Sequence, residues 1–262
     1  MWTTRTLAAC LAGALAIAAC GDRHAKGDDA NAAEVKATAP GASSASTPTS
    51  PVITGPVSFE DANTAFKQKR YDEALRLFTA YTTEKPDNVW GYYMLGLSAW
   101  KTGDRETAVN AFTLALEKDS THVKSHLNLS RVLIEQGHAQ EALPHVAAAL
   151  AIDSTSSEGF RLLGRVKSEL SDSDGAIAAY KRAIVLDGRD AWSLNNLARV
   201  YMGQGRFEDA LGPLARAIEI DSTVAAFRTN LGIALKRTGR VPQDVDLGGL
   251  ARSFVEQVKT WR

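Results

Sequence analysis

Cysteine is nearly absent from this 262-residue chain, which has only Cys10 and Cys20. That excludes a fold held by a disulfide framework. Charge of one sign is missing too: Lys plus Arg and Asp plus Glu stand at 30 each. A nucleic-acid-binding surface needs an excess or strong clustering of basic residues, so balanced charge points to protein contacts. The longest apolar run, Leu7 to Ala19, has 13 residues, short of the roughly 20 that cross a bilayer as a helix. Glycine-rich phosphate loops and nucleophile elbows are lacking. The five histidines, His24, His122, His126, His138 and His145, have no Cys or well-placed carboxylate to complete a tetrahedral metal set, and read as solvated side chains. No catalytic residue, metal site or cofactor is expected, and the chain reads as a non-enzyme.

What is present is a period. An alanine recurs every 34 residues, as Ala74, Ala108, Ala142, Ala176 and Ala210. Twelve residues before four of these anchors comes a small residue (Gly96, Ser130, Gly164, Ala198), and one before that a leucine (Leu95, Leu129, Leu163, Leu197). Four after each anchor comes bulk: Phe78, Phe112, Val146, Tyr180 and Leu214. A fixed period of this length marks stacked repeats. Small residues at helix centres let two backbones approach to the short end of the usual spacing of about 8–10 Å, with the bulky residues filling the adjoining volume. Gly103, Gly137 and Gly205 fall where the first helix should end in a left-handed residue, with Ser171 in that place in the fourth repeat. The trios Asp119-Ser120-Thr121, Asp153-Ser154-Thr155 and Asp221-Ser222-Thr223 are expected to cap the helices that follow.

With these residues in register, the chain resembles the tetratricopeptide repeat family over about residues 57 to 238, most closely in Tyr71 to Phe78 and Leu194 to Leu211. The resemblance implies an all-α solenoid of helix-turn-helix units wound into a right-handed superhelix, with five full repeats and the first helix of a sixth. Departures are local: Pro86 alone keeps the repeat-ending proline, and Asp61 stands where later repeats have leucine.

The ends read differently. Residues 1–19, with Arg5 ahead of the apolar run and Ile17-Ala18-Ala19 before Cys20, resemble a bacterial lipoprotein signal peptide. The resemblance implies lipidation of Cys20 and a chain held to the membrane by its acyl groups. Cys10 would be removed with the signal. Gly21 separates Cys20 from Asp22, which points to the periplasmic face of the outer membrane over the inner one. Residues 20–56 are rich in Ala, Ser, Thr, Pro and Gly and read as a disordered tether spanning on the order of 30–35 Å. Residues 239–262 read as a modified last repeat: Asp244 holds the next anchor place, and Leu247, Leu250, Ala251, Phe254, Val255, Val258 and Trp261 follow helical spacing. This segment is expected to cap the solenoid or to bind a partner.

In this family the first helix of each pair lines the concave face. There Arg131, Arg165 and Arg199 occupy equivalent positions roughly 10 Å apart on successive helices. Asn128, Asn196 and Asn230 share another register, Trp90 and Trp192 a third, and Tyr93 lies near Trp90. Arginines beside amides and aromatics can hold an extended protein or peptide segment. Internal roles are open to most of them: Arg131 has Glu135 and Arg165 has Glu169 four residues on, the asparagines can bond helix to helix, and the tryptophans can pack between repeats, whereas Arg199 has Gly203 at that place and no partner within its helix. The expected function is an envelope scaffold that recruits another protein. Two narrower expectations are a pilotin-like role, since the layout resembles the lipoprotein pilotins of type IV pilus secretins, and noncatalytic regulation of a cell-wall enzyme. Oligomeric state has no signature in the sequence.

Overall fold

The computed structural model describes residues 55–240. The signal segment 1–19, Cys20, all but the last two residues of the 20–56 tether and the helix expected around Ala251 lie outside the described residues.

The described residues form eleven helices and no strand. They run in antiparallel pairs: α1 (Phe59–Lys67) with α2 (Tyr71–Glu84), α3 (Val89–Thr102) with α4 (Arg105–Lys118), and α5 (Val123–Glu135) with α6 (Ala139–Ile152). Next come α7 (Ser157–Glu169) with α8 (Ser173–Leu186) and α9 (Ala191–Gly203) with α10 (Phe207–Ile220), and α11 (Ala225–Arg237) begins a sixth unit. The fold is an all-α solenoid of helical hairpins.

Packing follows the repeat. All five anchor alanines are fully buried, and Phe78, Phe112, Val146, Tyr180 and Leu214 lie beside them in the core. At Gly96 a built Cβ would come within 2.6 Å of the Phe112 ring, so the missing side chain is the space the ring occupies. Inside each hairpin the turn is left-handed, with φ of 91° at Gly103 and 61° at both Lys69 and Ser171. Lys69 shares the register of Ser171 and carries the same conformation without being glycine.

One expectation is corrected. The Asp-Ser-Thr trios do not cap the following helix. Asp119 Oδ1 accepts from the Thr121 amide at 2.9 Å and the Thr121 hydroxyl at 2.7 Å, and Asp153 and Asp221 do the same with Thr155 and Thr223. The threonine hydroxyl and then its amide hold each carboxyl below the usual carboxylate range. The trio lies too early in sequence, because only the residue immediately before a helix reaches its first free amides. Side-chain capping falls instead to the residue directly before a helix: Asn88, Ser156 and Asp190 accept from Gly91, Gly159 and Ser193 at 2.8, 3.1 and 3.0 Å, Asp104 and Asp172 from Thr107 and Gly175 at 3.0 and 2.9 Å, and Ser58 caps α1. Asp61 sits in the first turn of α1, its amide donating to the Ser58 hydroxyl at 3.1 Å.

Candidate partner-binding groove

The backbones of the first helices α1, α3, α5, α7, α9 and α11 approach one another within 8 Å between Cα atoms from each to the next, whereas among the described residues no two second helices come so close. Closer approach along one side bends a stack toward that side, so the first helices line the inner face. All the arginines, asparagines and aromatics singled out in the sequence stand on those helices.

At one end Trp90, in the first turn of α3, is 47% exposed. Its ring meets Tyr93 and His122 edge-on, at centroid distances of 5.6 and 4.8 Å, and the Lys124 ammonium lies 5.2 Å from it. Tyr93 is buried, and burial, helped by the Glu158 charge, pushes its phenol above the ordinary range. Burial also holds the His122 ring below the usual imidazole range.

Asn128 is buried and fully engaged. Its amide nitrogen donates to the Lys124 carbonyl at 2.9 Å and to the Tyr93 hydroxyl at 3.4 Å, while its oxygen accepts from Arg131 at 2.6 Å. Arg131 is engaged as well: its guanidinium lies 5.3 Å from the Trp100 ring and is ion-paired to Glu158 in the first turn of α7. Glu135, four residues on, instead pairs with Arg105 at 2.9 Å and accepts from the Trp100 indole at 3.0 Å. Partners one repeat away thus displace the pair within the helix. Arg131 is a strut between repeats with 14% of its side chain exposed.

Arg165 is half-buried on α7 and Arg199 is exposed on α9. Both charges reach the Tyr180 phenol, which burial pushes up to about 12 against their opposing pull. Trp192 is half-buried and packs edge-on against Phe227 at 5.1 Å. Asn230 donates to Asn195 Oδ1 at 2.8 Å, and Asn195 donates to Asn196 Oδ1 at 3.4 Å. The surface offered to a ligand is therefore uneven, with an aromatic end at Trp90 and a cationic stretch ending at Arg199.

Sequence reading missed Lys124, Glu158 and Arg161. The first two occupy the register of Trp90 and Trp192, so extending the period to that position would have found them. Arg161 lies in the register of Tyr93, and its guanidinium is 3.6 Å from Asp190. Asn195, also missed, shares the register of Tyr93 and Arg161, whereas Trp100, which donates to Glu135 in the next repeat, carries no such signal.

These features define a class: a helical-hairpin solenoid whose inner face presents side chains from successive repeats. The family model described as tetratricopeptide repeat (TPR) matches residues 93–157, 161–225 and 195–248. The chain belongs to the tetratricopeptide repeat family. No curated protein matches the sequence significantly. Among solved structures the chain is similar to a thermophilic TPR protein of Thermus thermophilus, with 22% identity over 68% of this chain and 96% of that one, TM-score 0.56. It is similar to YrrB, a TPR protein with an unusual peptide-binding site, at 20% identity over 64% and 87%, TM-score 0.54. It is also similar to PilW, a widely conserved type IV pilus biogenesis factor, at 15% identity over 78% and 92%, TM-score 0.66. At these identities the likeness concerns the fold.

Proposed function

We propose that this chain is a protein-binding scaffold of the bacterial cell envelope, taking an extended segment of a partner along the inner face of α3, α5, α7 and α9 without chemistry of its own. The observation that carries this reading is the half-exposed Trp90, which shares one face with the exposed cation of Arg199. An indole offers flat apolar area and a guanidinium offers paired donors, so the two suit a segment carrying an apolar residue and a carboxylate. The peptide-binding site of YrrB is in keeping with such use of the fold. Balanced charge favours a protein partner over nucleic acid. The test is crosslinked pull-down from native membranes with the wild-type chain, Arg199→Ala and Trp90→Ala. A partner captured by the wild type and lost from both variants supports the reading; a partner kept by both moves recognition toward Phe254 and Trp261.

The envelope location rests on residues 1–20. No described helix is long and apolar enough to cross a membrane. On the sequence Ile17-Ala18-Ala19-Cys20 behind its 13-residue apolar run, attachment is assigned to acyl groups on Cys20, with the repeats facing the periplasm from the outer membrane. Cys20→Ser should release the protein from the membrane fraction or stall its processing; unchanged membrane retention sinks the assignment.

A second reading, a pilotin-like assembly factor for a type IV pilus or secretion secretin, draws on the fold-level likeness to PilW. Noncatalytic regulation of a cell-wall enzyme differs from it in the partner: capture of a secretin supports the first, capture of a hydrolase or synthase the second.

A further inference from the structure

His126, the fourth residue of α5, is buried at 8% exposure, contrary to the solvated role expected from sequence. Its ring faces His145 of α6, with Nδ1 to Nδ1 at 3.2 Å, centroids 5.4 Å apart and an interplanar angle of 37°. On its other side His126 Nε2 lies 3.0 Å from the Ser120 carbonyl oxygen. A carbonyl only accepts, so Nε2 carries the hydrogen and Nδ1 of His126 presents a lone pair. In the metal-free protein Nδ1–H of His145 donates to that lone pair.

We propose that His126 and His145 together form a two-histidine chelate for a zinc ion at the seam between α5 and α6. A tetrahedral ion bound at roughly 2.0–2.1 Å from each nitrogen holds two of them about 3.3 Å apart, close to the separation between these rings. Neighbouring positions of a square-planar or octahedral ion at about 2.0 Å lie about 2.8 Å apart, which fits less well. The Ser120 carbonyl behind His126 plays the part usual for a ligating histidine, fixing the tautomer and ring orientation through the other nitrogen. On binding, the His145 proton moves from Nδ1 to Nε2, so both Nδ1 lone pairs meet on the ion and no proton is gained or lost.

Among the described residues no group of three or more His, Cys, Asp or Glu gathers as a metal site, so the protein supplies two ligands and water the rest. His122, one turn earlier on the chain, is otherwise engaged: its Nδ1 lies 2.7 Å from the Ser125 hydroxyl and its ring packs on Trp90 and Tyr93.

The test is calorimetric titration of the purified, chelator-treated chain with Zn2+ alone, beside His145→Asn and His122→Asn. The expected result is one equivalent bound by the wild type and by His122→Asn, lost in His145→Asn, with a zinc-dependent rise in Tm that follows the same division. Circular dichroism without zinc checks that the variant is folded, and His145→Gln repeats the experiment with a longer side chain. No zinc bound by the wild type, or one equivalent retained by both His145 variants, overturns the proposal.

Discussion

Gly164 of α7 lies so close to Tyr180 of α8 that a built Cβ at the glycine would stand 2.5 Å from ring atom Cε1. The ring is itself buried, in the same core cluster as the fully buried Ala176. Gly164→Ala should therefore destabilise the protein by roughly 1–3 kcal/mol through overpacking. Gly203, the last residue of α9, has nothing within 4 Å of the same built atom. Gly203→Ala should be neutral or stabilise by up to about 1 kcal/mol through helix propensity and a less flexible unfolded chain. Urea midpoints of the two variants check the contrast, and equal losses would contradict it.

The same tyrosine makes stability depend on alkaline pH. Its phenol is raised from 10.0 to about 12, chiefly by burial, so the folded state favours the neutral form more than the unfolded state does. The associated stability is fully present below pH 10 and is lost as pH rises through about 12. A shift of this size corresponds to roughly 2–3 kcal/mol. Tyr180→Phe should flatten the decline in stability above pH 10 and leave a smaller residue from Tyr93, whose phenol is also raised by burial. Urea unfolding of both proteins across that range is the measurement.

The close contacts were legible because they repeat: Gly96 with Phe112 and Gly164 with Tyr180 obey one spacing, and one spacing implies one geometry. The helix order followed from the same period, while the inner-face position of the arginines was what the family resemblance implied. What each arginine does there did not follow. Arg131, Arg165 and Arg199 are identical in register, yet the charge facing Arg131 comes from Glu158, and the residues one repeat on from Glu158 and Arg131 are Trp192 and Arg165. A contact between repeats depends on two residues about 27 apart in sequence, neither of which the period constrains. The His126–His145 pair escaped notice for the same reason, since helical spacing within one segment pairs His126 with His122 instead.

Lys69 and Ser171 both adopt φ of 61° at the hairpin turn where Gly103 and Gly137 stand in other repeats. A residue with a Cβ pays about 1–2 kcal/mol in that conformation, and glycine gives part of this back by making the unfolded chain more flexible. Lys69→Gly and Ser171→Gly should each stabilise by about 0.5–1 kcal/mol. The double variant should be additive, because the two turns lie in different repeats. Chemical denaturation resolves changes of this size, and a loss of stability in either single variant would show that the turn is held by the side chain replaced.

Arg131 and Arg199 separate a structural guanidinium from one open to solvent. Removing Arg131 takes a cation from the Trp100 face, an acceptor pairing from Asn128 and the counter-charge from Glu158. Asn128 is buried, so its oxygen is left with little access to water. Arg131→Ala should cost roughly 1–3 kcal/mol, tempered by the partial exposure of Glu158. Arg131→Lys should recover only part of this, because a point charge neither stacks on the indole nor reaches Asn128 and Glu158 with one planar fork. Arg199→Ala, on an exposed side chain, should stay within about 0.5 kcal/mol of the wild type. Thermal unfolding of the three variants reads the difference directly. A large loss at Arg199 would place it among the struts and take the cationic end away from the proposed groove; a silent Arg131→Ala would mean that the Glu158 pair and the Trp100 stack carry no net stability.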